Sequence, residues 1–219
     1  MKPLALFVTI GQTPRVDLVP EMREWLDDSM GVVERGALDN LSYEAIQAMA
    51  PAQCEPRLVT RLIDGTEAVV RKDFVYNRLQ QLLDEAAGEN FTCTVLLCTG
   101  HFPPFRARGL FLEAQSIVDQ SVAVLAQSAR SVGVMVPVKE QIADFHFRPA
   151  PDQQLSVSHA SPYTPGRLER AAAELSDTEV IVMHCMGYTE AMRQTVARVS
   201  DRPVLLARRI VAAAVAQLA

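Results

Sequence analysis

Basic residues are scattered through this 219-residue chain rather than clustered, and acidic residues outnumber them 26 to 21, for a net charge of −5. Without a Lys/Arg stripe, nucleic acid and an anionic membrane surface are not expected partners. Cysteine is scarce. The four residues Cys54, Cys93, Cys98 and Cys185 have neither metal-ligand nor disulfide-framework spacing. Free thiols in a cytoplasmic protein are the natural reading. His146 and His159 have no partner at ligand spacing, so zinc is disfavoured. No apolar run reaches the length of a bilayer span, and "MKPLALFVTIGQTPR" lacks the cleavage site of a signal peptide. No G-x-x-x-x-G-K occurs and no G-x-G-x-x-G follows a strand, which disfavours ATP and nicotinamide. No cofactor is expected. Long polar tracts are absent and only 21% of residues are charged, which argues against disorder.

What is present is core. Apolar residues make up 49% of the chain, and they fall into short Val/Leu/Ile runs separated by amphipathic stretches. The runs are "LALFVTI" (Leu4 to Ile10), "VVERGAL" (Val32 to Leu38), "CTVLLC" (Cys93 to Cys98), "SVGVMVP" (Ser131 to Pro137), "EVIVMHC" (Glu179 to Cys185) and "RPVLLA" (Arg202 to Ala207). Continuous apolar strands alternating with helices predict an α/β fold with parallel sheets covered on both faces. Pro14 is placed to open a helix through Trp25, Ser42 to cap a short helix to Met49, and Asp73 to cap a helix reaching about Ala87. Asp64–Gly65 separates two alternating runs and predicts a hairpin. The segment from Ala143 to Tyr163, rich in Pro, Gln, Ser and His, reads as a hinge or lid that holds at most a short strand, "QLSVSH".

Two of the runs end in a thiol. "VLLCTGHFPPF" carries Cys98 and "VIVMHCMGYTEAM" carries Cys185, each followed closely by glycine. Ligands of open parallel sheets bind beyond the C-terminal strand ends, and glycine lets the backbone approach them closely. A buried cysteine is also an ordinary space filler, and Cys93, inside its strand, is read that way. The matching context of Cys98 and Cys185 favours a working pair. Two thiols in opposite protonation states suit removal of a proton from carbon beside a carboxylate and its return to the opposite face. Arg15 is either a fork for a substrate carboxylate or a surface arginine at a helix N-terminus, where the dipole disfavours a cation. His101 is either a ligand or tuning group next to Cys98 or an exposed loop residue. His184, one residue before Cys185, points to the opposite sheet face and reads as structural.

"TIGQTPRVD", "ERGALDNLS", "LLCTGHF" and "MHCMGYTEAM", in this order, resemble the AroM family across nearly the whole chain, and that family resembles the aspartate/glutamate/hydantoin racemase superfamily. The resemblance implies two pseudo-symmetric α/β lobes with mainly parallel sheets and an active site between them. It places lobe 1 at residues 1–114 plus 207–219 and lobe 2 at 115–206. It implies Cys98 and Cys185 as catalytic thiols, with Gln12, Thr13, Arg15, Thr99, Gly100, His101, Gly187, Tyr188 and Thr189 around a substrate. The expected activity is a cofactor-independent racemase or epimerase of a small carboxylate, such as an amino acid or hydantoin. The alternatives are a single-thiol isomerase, lyase or decarboxylase, or a non-catalytic metabolite-binding protein. A homo-oligomer is compatible with this reading.

Overall fold

The computed structural model describes residues 2–26, 29–53, 55–143, 145 and 152–219. Cys54 and His146 lie outside the described residues. The chain forms two compact units, Met1–Gln115 with Val215–Ala219, and Ser116–Ala214.

The first unit is built from β1 (Leu4–Thr9), α1 (Val19–Leu26), β2 (Gly31–Gly36), α2 (Tyr43–Gln47), β3 (Arg57–Arg61), β4 (Glu67–Arg71), α3 (Lys72–Ala86), β5 (Cys93–Leu96) and β6 (Phe111–Glu113). Its four-stranded sheet has the order β2-β1-β5-β6, with every pair parallel. From Ala5 to Thr9, β1 is buried on both faces, as an all-apolar run between parallel neighbours requires. Leu6, Val8 and Ile10, two residues apart and so on one face, pack in a core with Leu58, Val70, Val75 and Leu79 from the hairpin and α3. The hairpin β3–β4 is antiparallel, with Arg61 opposite Glu67. Its turn uses Gly65 at φ +92°, a conformation that favours glycine, and the Asp64 carboxylate accepts the Thr66 N–H at 2.8 Å.

The second unit follows with α4 (Ala114–Leu125), β7 (Ser131–Val136), β8 (Gln154–His159), α5 (Leu168–Glu174), β9 (Val180–Met183), α6 (Glu190–Ser200), β10 (Val204–Leu206) and α7 (Ala207–Ala216). Its sheet reads β8-β7-β9-β10, again all parallel. Both sheets therefore share one topology: the unit's first strand lies between its second and its third, and the fourth follows on the outside. The faint echo around the two thiols in the sequence is a repeat of architecture. The second core gathers Met135, Ile181, Met183, Tyr188, Val196 and Leu206.

Local departures from the sequence reading have physical causes. α1 begins at Val19, not at Pro14; the Thr13–Pro14 bond is cis, and the Leu18 and Val19 amides bond back to the Arg15 carbonyl. Arg15 therefore precedes the helix instead of standing in its first turn. α3 starts directly from β4, with Arg71 at its N-cap. Asp73 lies one residue inside, where it accepts the Phe74 N–H at 2.7 Å. "QLSVSH" is a full six-residue edge strand, β8, because it pairs along the whole of β7. The three-residue β6 was not expected; too short to show a period, it is held by pairing with β5. Among the described residues, no helix is long and apolar enough to cross a membrane.

Candidate active site

Each thiol occupies the same place in its own unit. β5 and β9 are the third strands of their sheets; β5 ends at Leu96 and β9 at Met183, and the thiol follows two residues later in both. The Gly100 N–H donates to Cys98 Sγ at 3.3 Å, and the Gly187 N–H donates to Cys185 Sγ at 3.4 Å. A glycine amide two residues on thus faces the sulfur in both units. A hydrogen bond to the charged form of an acid favours that form, so this arrangement supports a thiolate. Neither thiol begins a helix directly: Cys98 leads into a loop, and α6 starts at Glu190, five residues after Cys185.

The surroundings differ. Cys98 is 7% exposed and packs with the first unit's core. A Cβ on Gly100 would stand 3.0 Å from Leu58 Cδ2 and 3.4 Å from Cys98 Sγ, so a side chain there requires Leu58 to give by a few tenths of an ångström. His101 is exposed, and Thr99 is half-buried. Beyond them Tyr76, Phe102, Phe105 and Phe111 form a chain of ring contacts, from 4.9 Å between the Tyr76 and Phe105 centroids to 6.5 Å between Tyr76 and Phe102. The two arginines of this loop, Arg106 and Arg108, are exposed, and Arg106 pairs with Asp84 at 3.3 Å.

Cys185 is half-buried and opens a turn closed by the Tyr188 N–H on the Cys185 carbonyl at 3.3 Å. Tyr188 is fully buried, and its hydroxyl donates to the Ala160 carbonyl at 2.6 Å. Burial, with the nearby Cys185 charge second, pushes its phenol well above the usual range. Thr189 is the N-cap of α6 and accepts the Met192 N–H at 3.2 Å. A Cβ on Gly187 would lie 2.6 Å from the Tyr163 hydroxyl and 2.7 Å from Pro162 Cγ. Tyr163 thus belongs to the Cys185 surroundings, although its segment read only as a hinge or lid. Arg208, 1% exposed, donates to the Met186 carbonyl from Nε at 3.1 Å and from a terminal nitrogen at 2.9 Å, and to the Gly187 carbonyl at 3.0 Å. The sequence held a signal for it: Arg208 is the second residue of α7, where the helix dipole disfavours a cation. His184 lies 3.1 Å from Asp119 and edge-on to Phe145.

The N-terminal candidates have structural bonds of their own. Gln12 donates to the Leu38 and Leu41 carbonyls at 3.4 and 3.3 Å and accepts the Ile63 N–H at 3.0 Å. Thr13 gives both its N–H and its hydroxyl to Asp39 at 2.7 Å, and the Gly36 N–H completes that carboxylate at 2.6 Å. The motifs "GQTPR" and "ERGALD" are therefore two halves of one clasp. Arg15 is 4% exposed; its fork meets Asp17 with two bonds of 2.9 Å, and its remaining nitrogen donates to Thr9 at 2.8 Å. Burial alone lifts the Asp17 carboxyl, but the hydrogen bonds and charge of Arg15 outweigh it and hold Asp17 below its ordinary value.

Comparison with known proteins agrees with this architecture. Arylmalonate decarboxylase, in a sulfate-associated variant, superposes with a TM-score of 0.58 at 14% identity, over 98% of this chain and 94% of that one. Picrophilus torridus aspartate racemase gives 0.56 at 11% identity, over 98% and 93%. A Nocardia farcinica maleate cis-trans isomerase variant with a covalently bound succinylcysteine intermediate gives 0.55 at 14% identity, over 98% and 92%. These likenesses establish the Asp/Glu racemase-like fold. No curated protein matches. The AroM protein family model matches residues 5–219, and the chain belongs to the AroM family.

Proposed function

We propose that this protein is a cofactor-independent racemase- or epimerase-like enzyme in which an α-proton of a small carboxylate passes between Cys98 and Cys185. The observation that carries the reading is the repeated thiol geometry: two strand-end cysteines in topologically equivalent positions, each with a glycine amide on its sulfur. In the proposed reaction one thiolate takes the proton from Cα, and the bond's electron pair moves into the adjacent carboxylate. The other thiol gives its S–H proton to the opposite face, and the stereocentre inverts. Electrons are conserved and no redox partner is needed. Thr99, Gly100 and His101, which follow Cys98, and Gly187, which follows Cys185, are the proposed substrate contacts. Gln12, Thr13, Arg15, Tyr188 and Thr189 contribute by holding the loops that carry it.

Exchange of the α-proton in deuterated water tests the reading, with a panel of amino acids, hydantoins and related carboxylates as candidate substrates. Cys98→Ser and Cys185→Ser are each expected to abolish racemisation. Exchange into one enantiomer persists where the remaining thiol is the abstracting group. Full racemisation by both variants would sink the two-thiol mechanism.

A second reading is favoured by the inequality of the two thiols, one 7% exposed and the other half-open. It is a single-thiol isomerase, lyase or decarboxylase, and the covalent succinylcysteine of the maleate isomerase neighbour illustrates such chemistry on this fold. Labelling of one cysteine alone by a substrate analogue, with racemisation indifferent to loss of the other, distinguishes it.

A further inference from the structure

Arg208 is a fully buried cation, and three of its hydrogen bonds go to one turn. Two of them converge on the Met186 carbonyl. That carbonyl belongs to the same peptide unit as the Gly187 N–H. Thr13–Pro14 is the only cis bond among the described residues, so the Met186–Gly187 peptide is trans. In a trans peptide the C=O and N–H point in opposite directions. The guanidinium therefore stands at the negative end of a peptide dipole whose positive end is aimed at Cys185 Sγ, 3.4 Å away. A positive charge on the oxygen polarises the group and makes its N–H a stronger donor.

The geometry points to Arg208 as a positioning residue that, through the Met186–Gly187 peptide, holds Cys185 as a thiolate. The inference rests on the reading of Cys185 as a working thiol, but its test does not depend on turnover. Titratable side chains on the neighbouring elements have bonds of their own. Tyr188 is neutral at working pH, because burial pushes its phenol well up. Tyr163 presents a hydroxyl at Gly187. Glu190 and Arg193, in the first turn of α6, pair with each other at 2.6 Å. His184 is turned to Asp119. The device acts on Cys185, and a one-base, one-acid exchange requires unequal protonation of its two thiols.

The experiment is alkylation of Cys185 by iodoacetamide across about pH 5 to 10, resolved by peptide mass spectrometry, in the wild type, Arg208→Lys and Arg208→Met. Arg208→Met is expected to raise the Cys185 midpoint by about one pH unit or more, a tenfold loss of thiolate at fixed pH. Arg208→Lys, which keeps the charge and loses the fork, should fall between that variant and the wild type. The Cys98 profile should not move. Arg208→Lys decides the matter if the methionine variant does not fold, as judged by near-ultraviolet circular dichroism. An unchanged Cys185 midpoint in either folded variant would overturn the role of Arg208. An equal shift at both thiols would also overturn it, because it would mark a general disturbance. A selective shift combined with full α-proton exchange by Cys185→Ser keeps the role of Arg208 and overturns only the catalytic reading of Cys185.

Discussion

Replacing Arg15 with methionine separates two roles for this side chain. The Arg15 side chain is 5% exposed and that of Asp17 9%, so the pair is removed from water. Their contact is a bidentate fork with two bonds of 2.9 Å, and a third bond of 2.8 Å reaches Thr9. Removing one partner of such a buried pair costs about 3–5 kcal/mol. For a chain of this length each kcal/mol lowers the melting temperature by about 2–4 °C, so R15M should melt about 6–20 °C below the wild type. D17N should cost a comparable amount, because it leaves the guanidinium buried beside a neutral amide. The double variant R15M/D17L removes both charges together and should recover much of the loss, since a buried pair is often near neutral against apolar replacements. The assay is thermal unfolding of these proteins and of D17L, which closes the double-mutant cycle that extracts the coupling. If R15M melts within about 2 °C of the wild type and raises KM for a confirmed carboxylate substrate, Arg15 is a substrate fork and its pairing with Asp17 is incidental.

The same carboxylate sets an acid limit. Because Asp17 titrates below its ordinary value when folded, its stabilising contribution is complete above the unfolded aspartate pKa of about 3.9 and is lost as pH falls through the folded value. Urea unfolding at falling pH should show this loss in the wild type and a flatter profile in D17N. Gly187→Ala places a methyl 2.6 Å from the Tyr163 hydroxyl, whereas Gly100→Ala places one 3.0 Å from a leucine methyl. The first should therefore cost about 1–3 kcal/mol in melting experiments and the second less; equal costs would contradict the packing described around Cys185. Tyr188→Phe leaves the buried Ala160 carbonyl without the hydroxyl that now serves it, at a cost of about 1–3 kcal/mol. It should leave the alkaline limb of any activity profile unchanged, because the phenol does not titrate near neutrality. A shifted alkaline limb would make Tyr188 a proton donor in its own right.

β1, β5, β7 and β9 were legible because each is a largely apolar run, and a run buried on both faces has one structural solution. β8 was read as at most a short strand in an irregular segment because its burial alternates between exposed and half-buried; pairing with β7 fixes it, and that pairing is invisible in one sequence. β6, three residues long, has no period to detect. The N-terminal loop holds bonds that one sequence does not reveal. Gln12, Thr13 and Arg15 looked available because they are polar residues at a strand end. Their partners Asp39, Glu34, Leu38 and Leu41 come from β2 and the turn after it, and Arg15 N–H meets Glu34 at 2.7 Å. Only the parallel pairing of β1 with β2 brings those partners alongside. Arg208 shows the converse. The dipole misfit that drew attention to Arg15 applied equally to Arg208, yet the misfit lapses for Arg15, which precedes α1, and holds for Arg208 at the start of α7.

Equivalence of topology and inequality of environment have to be reconciled, and the proposed chemistry does so. A repeated fold supplies matched strand ends and matched glycine amides, and thereby two groups able to stabilise negative sulfur. Two identical thiolates would nevertheless be useless for inversion, because one face must receive a proton while the other gives one up. Symmetry therefore has to be broken in the loops, where the sheets no longer dictate the backbone. In the first unit the loop after the thiol leads into exposed prolines and stacked rings. In the second it is a closed turn clasped by a buried guanidinium. In the proposed reading Arg208 favours the thiolate at Cys185, so Cys185 is proposed as the first base and Cys98 as the first acid. The assignment predicts an order: at mildly acidic pH an electrophile should modify Cys185 before Cys98, and Arg208→Met should abolish that preference. Reaction of Cys98 first in the wild type would reverse the roles while leaving the requirement for unequal thiols intact.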